Sequence, residues 1–162
     1  GLKADGTLTG SAQTTVTGSN GVTMAGKVIT TGALNLAGPT VNLSGAQVQA
    51  DSATITSSTP GAHLHADNSK IFITQTLNLS TGQTLHTSGA TVVAKKLNIG
   101  AHSIVNNGGS LGQSGEDDLQ ITLAGSLDNG SGHIAVAAMC RSPAAALPMP
   151  RGAVFMQRAS WT

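Results

Sequence analysis

Charge and aromatic rings are both scarce in this chain of 162 residues: charged residues make up 9% and aromatics 2%, with no Tyr, one Trp and two Phe. The few rings exclude a core built on aromatic packing, and the low charge excludes a chain held open by self-repulsion. Cys140 is the only cysteine, so no internal disulfide can form and no zinc site finds its ligand spacing. No run approaches the 18 or so consecutive apolar residues of a membrane-spanning helix. With a net charge of +1 and no dense basic stripe, nucleic acid is not an expected partner. The opening Gly1-Leu2-Lys3 has neither initiator Met nor apolar signal core, the pattern expected of a mature product or a piece of something longer.

What the chain does have is Gly, at 21 positions, and aliphatic residues in short alternating runs. Leu34-Asn35-Leu36, Val41-Asn42-Leu43, Leu77-Asn78-Leu79 and Leu97-Asn98-Ile99 each place one apolar residue on either side of a polar one. That period of two is the mark of half-buried strands. Gly, Asn, Ser or Pro punctuates the runs every six to nine residues, and before residue 138 no window carries the i, i+3, i+4, i+7 pattern of a helix.

A longer period lies above the alternation. One series of apolar positions runs Val16, Leu34, Ile55, Leu77, Leu97, Leu119; a second runs Val22, Val41, Leu64, Leu85, Ile104, Leu127. A third runs Val28, Val48, Ile71, Val92, Leu111, Ile134. All three advance by about 21 residues per step, the signature of a repeat architecture. The expected fold is all-β: a parallel β-solenoid of about six coils over residues 1–138, each coil carrying three short strands. Coils stacked at the inter-strand spacing make a rod on the order of 30 Å long. The three apolar series become interior columns, and Asn35, Thr56, Asn78, Asn98 and Gln120 become an outer column whose amides can bond along the stack. Glycines supply the tight corners, and the wider loops are expected around Ser57-Ser58-Thr59-Pro60 and Gln113–Asp118.

The last two coils share a sharper motif. Ile104-Val105-Asn106-Asn107-Gly108-Gly109-Ser110-Leu111 matches Leu127-Asp128-Asn129-Gly130-Ser131-Gly132-His133-Ile134, in the frame aliphatic, any residue, Asn, two residues, Gly, any residue, aliphatic. This resembles the repeats of filamentous haemagglutinin-like exoproteins, the adhesins and contact-dependent toxin carriers exported by two-partner secretion. The resemblance covers roughly residues 7–138. It implies a right-handed parallel β-helix that serves as the structural shaft of a large secreted adhesin at the bacterial surface. It also implies partners: neighbouring coils of a longer chain, host-cell surface glycans or proteins, and an outer-membrane transporter. The family's secretion domain carries Asn-Pro motifs, and no Asn-Pro dipeptide occurs here. An autotransporter passenger fragment is an alternative of the same general kind.

Residues 139–162 break the pattern. They hold three of the five Pro, three of the four Met, all three Arg, the only Trp and the only Cys. Pro143, Pro148 and Pro150 would each remove a ladder donor, so the segment is not expected to continue the coil. A cap, a disordered linker and residues foreign to the natural reading frame are the three readings. The abrupt change in usage favours the last two, and 24 residues are too few to bury the core of a toxin domain.

Chemistry-bearing residues are few. The register of the second series puts His65 and His86 on one outer face, with side chains about 5 Å apart, and His63 two residues earlier on the same face. Such a trio can hold a transition metal. Alternation alone explains their exposure, however, because Asn42 occupies the same column in the preceding coil and no orienting carboxylate is evident. Glu116-Asp117-Asp118 is read as solvating the longest loop, since calcium-binding solenoids need an aspartate-and-glycine nonapeptide that is absent. A β-helical polysaccharide-active enzyme, the alternative from another class, needs paired carboxylates on one face. Asp51 and Asp67 follow different strand series, and no nucleophile elbow, phosphate loop or His-Glu-x-x-His occurs. The expectation is a protein that is not an enzyme, with no catalytic, cofactor-binding or metal-ligating residues and no cofactor.

Overall fold

The computed structural model describes residues 13–137. Sixteen strands form six coils. The first coil holds β1 (Thr14–Thr17), β2 (Val22–Thr23) and β3 (Lys27–Ile29); the second holds β4 (Ala33–Gly38), β5 (Val41–Asn42) and β6 (Gln47–Ala50). The third begins with β7 (Ser52–Ser57) and β8 (Leu64–His65), then enters β9 (Lys70–Thr81), which continues without a break into the fourth coil. The fourth continues with β10 (Thr84–His86) and the first half of β11 (Thr91–Ala101). The second half of β11 opens the fifth coil, completed by β12 (Ser103–Val105) and β13 (Ser110–Gln113). The sixth holds β14 (Gln120–Leu123), β15 (Leu127–Asp128) and β16 (His133–Val136). None of the described residues forms a helix, so none of them makes one long and apolar enough to cross a membrane.

Every pairing is parallel and joins one coil to the next. The solenoid fold read from the sequence is thus the observed one. The second and third apolar series hold residue for residue: Val41 faces Leu64, Leu64 faces Leu85 and Leu85 faces Ile104, while Ile71 faces Val92 and Val92 faces Leu111. Thr, Val and Ile suit such a pleated surface, and their alternation sets which face is buried.

The first series requires correction. Leu34 pairs with Thr14 and Ala53 rather than with Val16 and Ile55; Val16 pairs with Leu36, and Ile55 with Leu36 and Leu79. Ala53 is 2% exposed and holds an interior position between Leu34 and Leu77, so a search for large aliphatics steps over it. The outer column shifts with it: Thr54, not Thr56, lies between Asn35 and Asn78. Along that column Asn98 Nδ2 donates to Asn78 Oδ1 at 2.8 Å, but Asn98 Oδ1 has no partner among the described residues. The amide ladder is one bond long here, not continuous.

Three faces are present but only two sheets. The second-series strands form a six-stranded sheet, and the other two faces join in a ten-stranded one because β9 and β11 run round the shared corner. β11 does so at a register shift between Ala94 and Lys96, where the Leu97 amide donates to Gln113 Oε1 at 2.9 Å.

Between the six-stranded sheet and the third face the chain makes the same tight turn in five consecutive coils. The amides of Ala46, Ser69, Ala90, Gly109 and Gly132 return to the carbonyls of Leu43, Ala66, Thr87, Asn106 and Asn129, each three residues earlier. The residue before each closing amide is left-handed: Gly45, Asn68, Gly89, Gly108 and Ser131, with φ between 55 and 73°. Gly meets that requirement at no steric cost, and Asn tolerates it. The repeat motif finds its physical meaning in this turn. Asn106 points inward and is fully buried; its Oδ1 accepts from Thr87 Oγ1 at 2.9 Å, and its Nδ2 donates to Asn129 Oδ1 at 2.7 Å and to the Gly109 carbonyl at 3.2 Å. A Cβ on Gly109 would overlap Asn106 Oδ1 and the Thr87 carbonyl, so the motif's Gly is required by space.

The interior is aliphatic: Leu34, Val41, Ile55, Leu64, Leu85 and Leu111 are among the side chains with no exposed surface. Burying each stabilises the stack by about 1.5–3 kcal/mol. The last coil is looser, with Leu127 45% and Val136 42% exposed. The expected wider loops lie where the sequence placed them, between β7 and β8 and between β13 and β14. Residues 1–12 and 138 of the expected solenoid, and residues 139–162, read above as a tail, lie outside the described residues.

Candidate functional site

The densest group of chemically competent side chains stands on the six-stranded sheet. Strands β8 and β10 are short, and their alternation turns Leu64 and Leu85 into the core while His65 and His86 face out. Parallel register then sets His86 directly above His65. The rings stack, with centroids 4.7 Å apart and planes inclined by 11°. His63, two residues before His65, lies 5.9 Å from the His65 ring and 5.7 Å from the His86 ring. The trio expected from spacing alone is therefore assembled. Asn42 precedes and Val105 follows in the same column, which confines the histidines to two coils.

The structure adds a residue that the sequence reading left out. Asp67 occupies the turn immediately after β8, where its Oδ1 accepts from the Ser88 amide of the next coil at 2.8 Å. That bond fixes the carboxylate and leaves Oδ2 4.0 Å from His65 Nδ1. Donor atoms of His65, Asp67 and His86 all lie within 4.8 Å of one another. The absence of an orienting carboxylate, which weighed against a functional cluster, is thus corrected. The clue was in the spacing: residues 63, 65 and 67 share one side of an extended chain, and the turn keeps Asp67 there.

Burial and the neighbouring His65 ring, with a smaller contribution from His63, hold the His86 pKa below the ordinary imidazole value; Asp67 pulls the other way. A neutral ring keeps its lone pair for an electrophile. His63 Nδ1 is buried and has no hydrogen-bond partner among the described residues. Three imidazoles and a carboxylate suit coordination or proton exchange better than nucleophilic chemistry.

The remaining acids do not converge. Asp51 lies between β6 and β7, where Thr74 Oγ1 donates to its Oδ1 at 2.6 Å beside a shallow depression of about 490 Å³ that also touches Ile29 and Phe72. That corner belongs to the ten-stranded sheet, whereas Asp67 follows a strand of the six-stranded one. Glu116, Asp117 and Asp118 are exposed in the loop between β13 and β14. Asp117 pairs with Lys96 at 3.7 Å, and its carbonyl accepts from the Gln113 amide group, a loop-holding role.

Over 132 residues the chain is 28% identical to the Toxin CdiA of Yersinia pestis, a match that covers 82% of this chain. The chain spans about 4% of that relative's length. No family model matches the chain, and no solved structure matches it. Together with the solenoid, this similarity fits a repeat region within a very large exoprotein.

Proposed function

We propose that this chain is a shaft segment of a large secreted bacterial surface protein of the adhesin and toxin-carrier kind. The observation that carries the reading is the parallel stack of six coils, matched in sequence to a small stretch of a far longer relative. A solenoid adds length at fixed cost per coil, because each coil contacts only its neighbours. The relative bears the name of a toxin, and toxin carriers are among the exoproteins that the Asn–Gly repeat resembles. In this reading the segment extends whatever the rest of the protein displays toward glycans or proteins on another cell, and an outer-membrane transporter exports the whole.

The role is mechanical rather than catalytic. A polysaccharide-active solenoid needs converging carboxylates and aromatic sugar platforms. Among the described residues Phe72 is the one aromatic of the Phe, Tyr and Trp class, and Asp51 and Asp67 stand on different sheets. The test is length. Duplicating residues 13–137 in register within the full-length protein should lengthen the surface fibre by about 30 Å, measured by cryo-electron microscopy, with display retained. A fibre of unchanged length would overturn the assignment.

A further inference from the structure

We propose that His65, His86 and Asp67, with His63 beside them, form a binding site for one late first-row divalent cation, Zn²⁺ being the probe of choice, that clips the third coil to the fourth. The inference does not depend on the shaft reading. Imidazole nitrogen with carboxylate oxygen is a donor set for Zn²⁺, Ni²⁺ or Cu²⁺ rather than for the oxygen-seeking Ca²⁺ and Mg²⁺. In a tetrahedral zinc site, bonds of about 2.0–2.1 Å put neighbouring donors roughly 3.4 Å apart. The donors of His65, Asp67 and His86 lie within 4.8 Å of one another, so modest side-chain rotation on this outer face closes the set while the backbone stays fixed by the ladder.

Two further observations point the same way. The Ser88 amide already holds Asp67 by Oδ1 and leaves Oδ2 on the histidine side, the kind of outer hydrogen bond that orients metal-ligating carboxylates. The His63 ring stands 5.9 and 5.7 Å from the other two rings, outside the three-donor set, and its Nδ1 is buried without a hydrogen-bond partner among the described residues. His65 and Asp67 come from one coil and His86 from the next, so the bound ion ties the two together. With Asn42 and Val105 flanking the two histidines in the column, the site takes one ion and does not repeat along the rod.

The experiment is Zn²⁺ titration of the chelator-treated 162-residue chain by calorimetry, with a parallel thermal melt. Saturation at one ion per chain and a higher melting temperature are expected. His65→Asn and His86→Asn, chosen because Asn42 already occupies this column, should keep the circular dichroism spectrum and weaken binding at least about tenfold, the scale on which loss of an outer-shell partner is already felt. Asp67→Asn should weaken it too, whereas His102→Ala and His133→Ala, outside the cluster, should not. Absence of saturable binding would overturn the proposal. So would binding that survives both column substitutions, or that is lost with His102 or His133.

Discussion

His86 and Thr87 are neighbours in the chain and belong to columns with opposite duties. Thr87 turns inward with no exposed surface, and its hydroxyl begins a chain of bonds through buried Asn106 to half-buried Asn129 across three coils. His86 turns outward onto His65, in a column where Asn42 and Val105 are equally admissible. Stacking gives both columns the same register, but only the inner one must satisfy every polar atom without water. The inner column (Leu43, Ala66, Thr87, Asn106, Asn129) varies in residue type as well, but Thr87, Asn106 and Asn129 bond to one another within it, whereas the outer column is free of that demand. On the outer side a solenoid can carry side-chain chemistry without endangering its fold.

The comparison breaks most visibly from the inside. Asn106→Ala would strip Thr87 Oγ1 and Asn129 Oδ1 of their partners at 2.9 and 2.7 Å, while the Gly109 carbonyl keeps the His133 amide, an expected loss of about 2–3 kcal/mol at roughly 1–3 kcal/mol per unsatisfied group. Leu85→Ala, in the adjoining apolar column, should cost a similar amount, about 2–5 kcal/mol. Urea unfolding followed by far-ultraviolet circular dichroism measures both, and a change below 1 kcal/mol in either would mean that the column is not packed as described.

Gly108 and Gly109 sharpen the point, because adjacent glycines are needed for different reasons. A Cβ on Gly109 meets buried atoms, so Gly109→Ala should cost about 1–3 kcal/mol through overpacking. Around Gly108 there is open space, and only its φ of 65° resists a side chain. Gly108→Ala should therefore cost about 1–2 kcal/mol from backbone strain alone. Gly108→Asn should recover part of that loss, because Asn68 adopts the same conformation two column positions earlier in the stack. If Asn proves no better than Ala there, strain is not the cause.

Outside, the effects shrink. His65→Ala and His86→Ala should each change the stability of the metal-free protein by no more than about 0.5 kcal/mol, as exposed substitutions do, and leave adhesion by the full-length protein intact. A larger loss in the same urea assay would show that the stacked rings are part of the framework.

Most of the architecture was legible because a solenoid repeats its rules. The second and third series were readable residue by residue, since each inner position there carries Val, Ile or Leu. The first series slipped by two residues twice, at Thr14 and at Ala53, where a polar or a small side chain holds the place aligned with Leu34 and hydrophobic size gives no signal. Gly45, Gly89 and Gly108 announced the left-handed corner, but Asn68 and Ser131 take the same conformation without the residue type that advertises it. The histidine trio followed from register. Asp67 did not, because its place depends on a turn whose amide partner, Ser88, lies a full coil away. The merging of two faces into one sheet was equally hidden, since nothing in the local pattern of β9 or β11 distinguishes a bent strand from two strands.

Register is the claim on which columns, corner and histidine cluster all depend, and engineered disulfides test it directly. In a Cys140→Ser background, Asn78→Cys with Asn98→Cys places two thiols on residues that face each other across β9 and β11 and already share a side-chain bond of 2.8 Å. Neighbouring strands about 4.8 Å apart fall within the span a disulfide accepts. Asn78→Cys with Gly100→Cys serves as the displaced control, because Gly100 faces Ser80 instead. Mild oxidation followed by peptide mass mapping should show rapid intramolecular closure of the first pair and little of the second. Equal closure of both pairs, or preference for the displaced one, would contradict the stacked register.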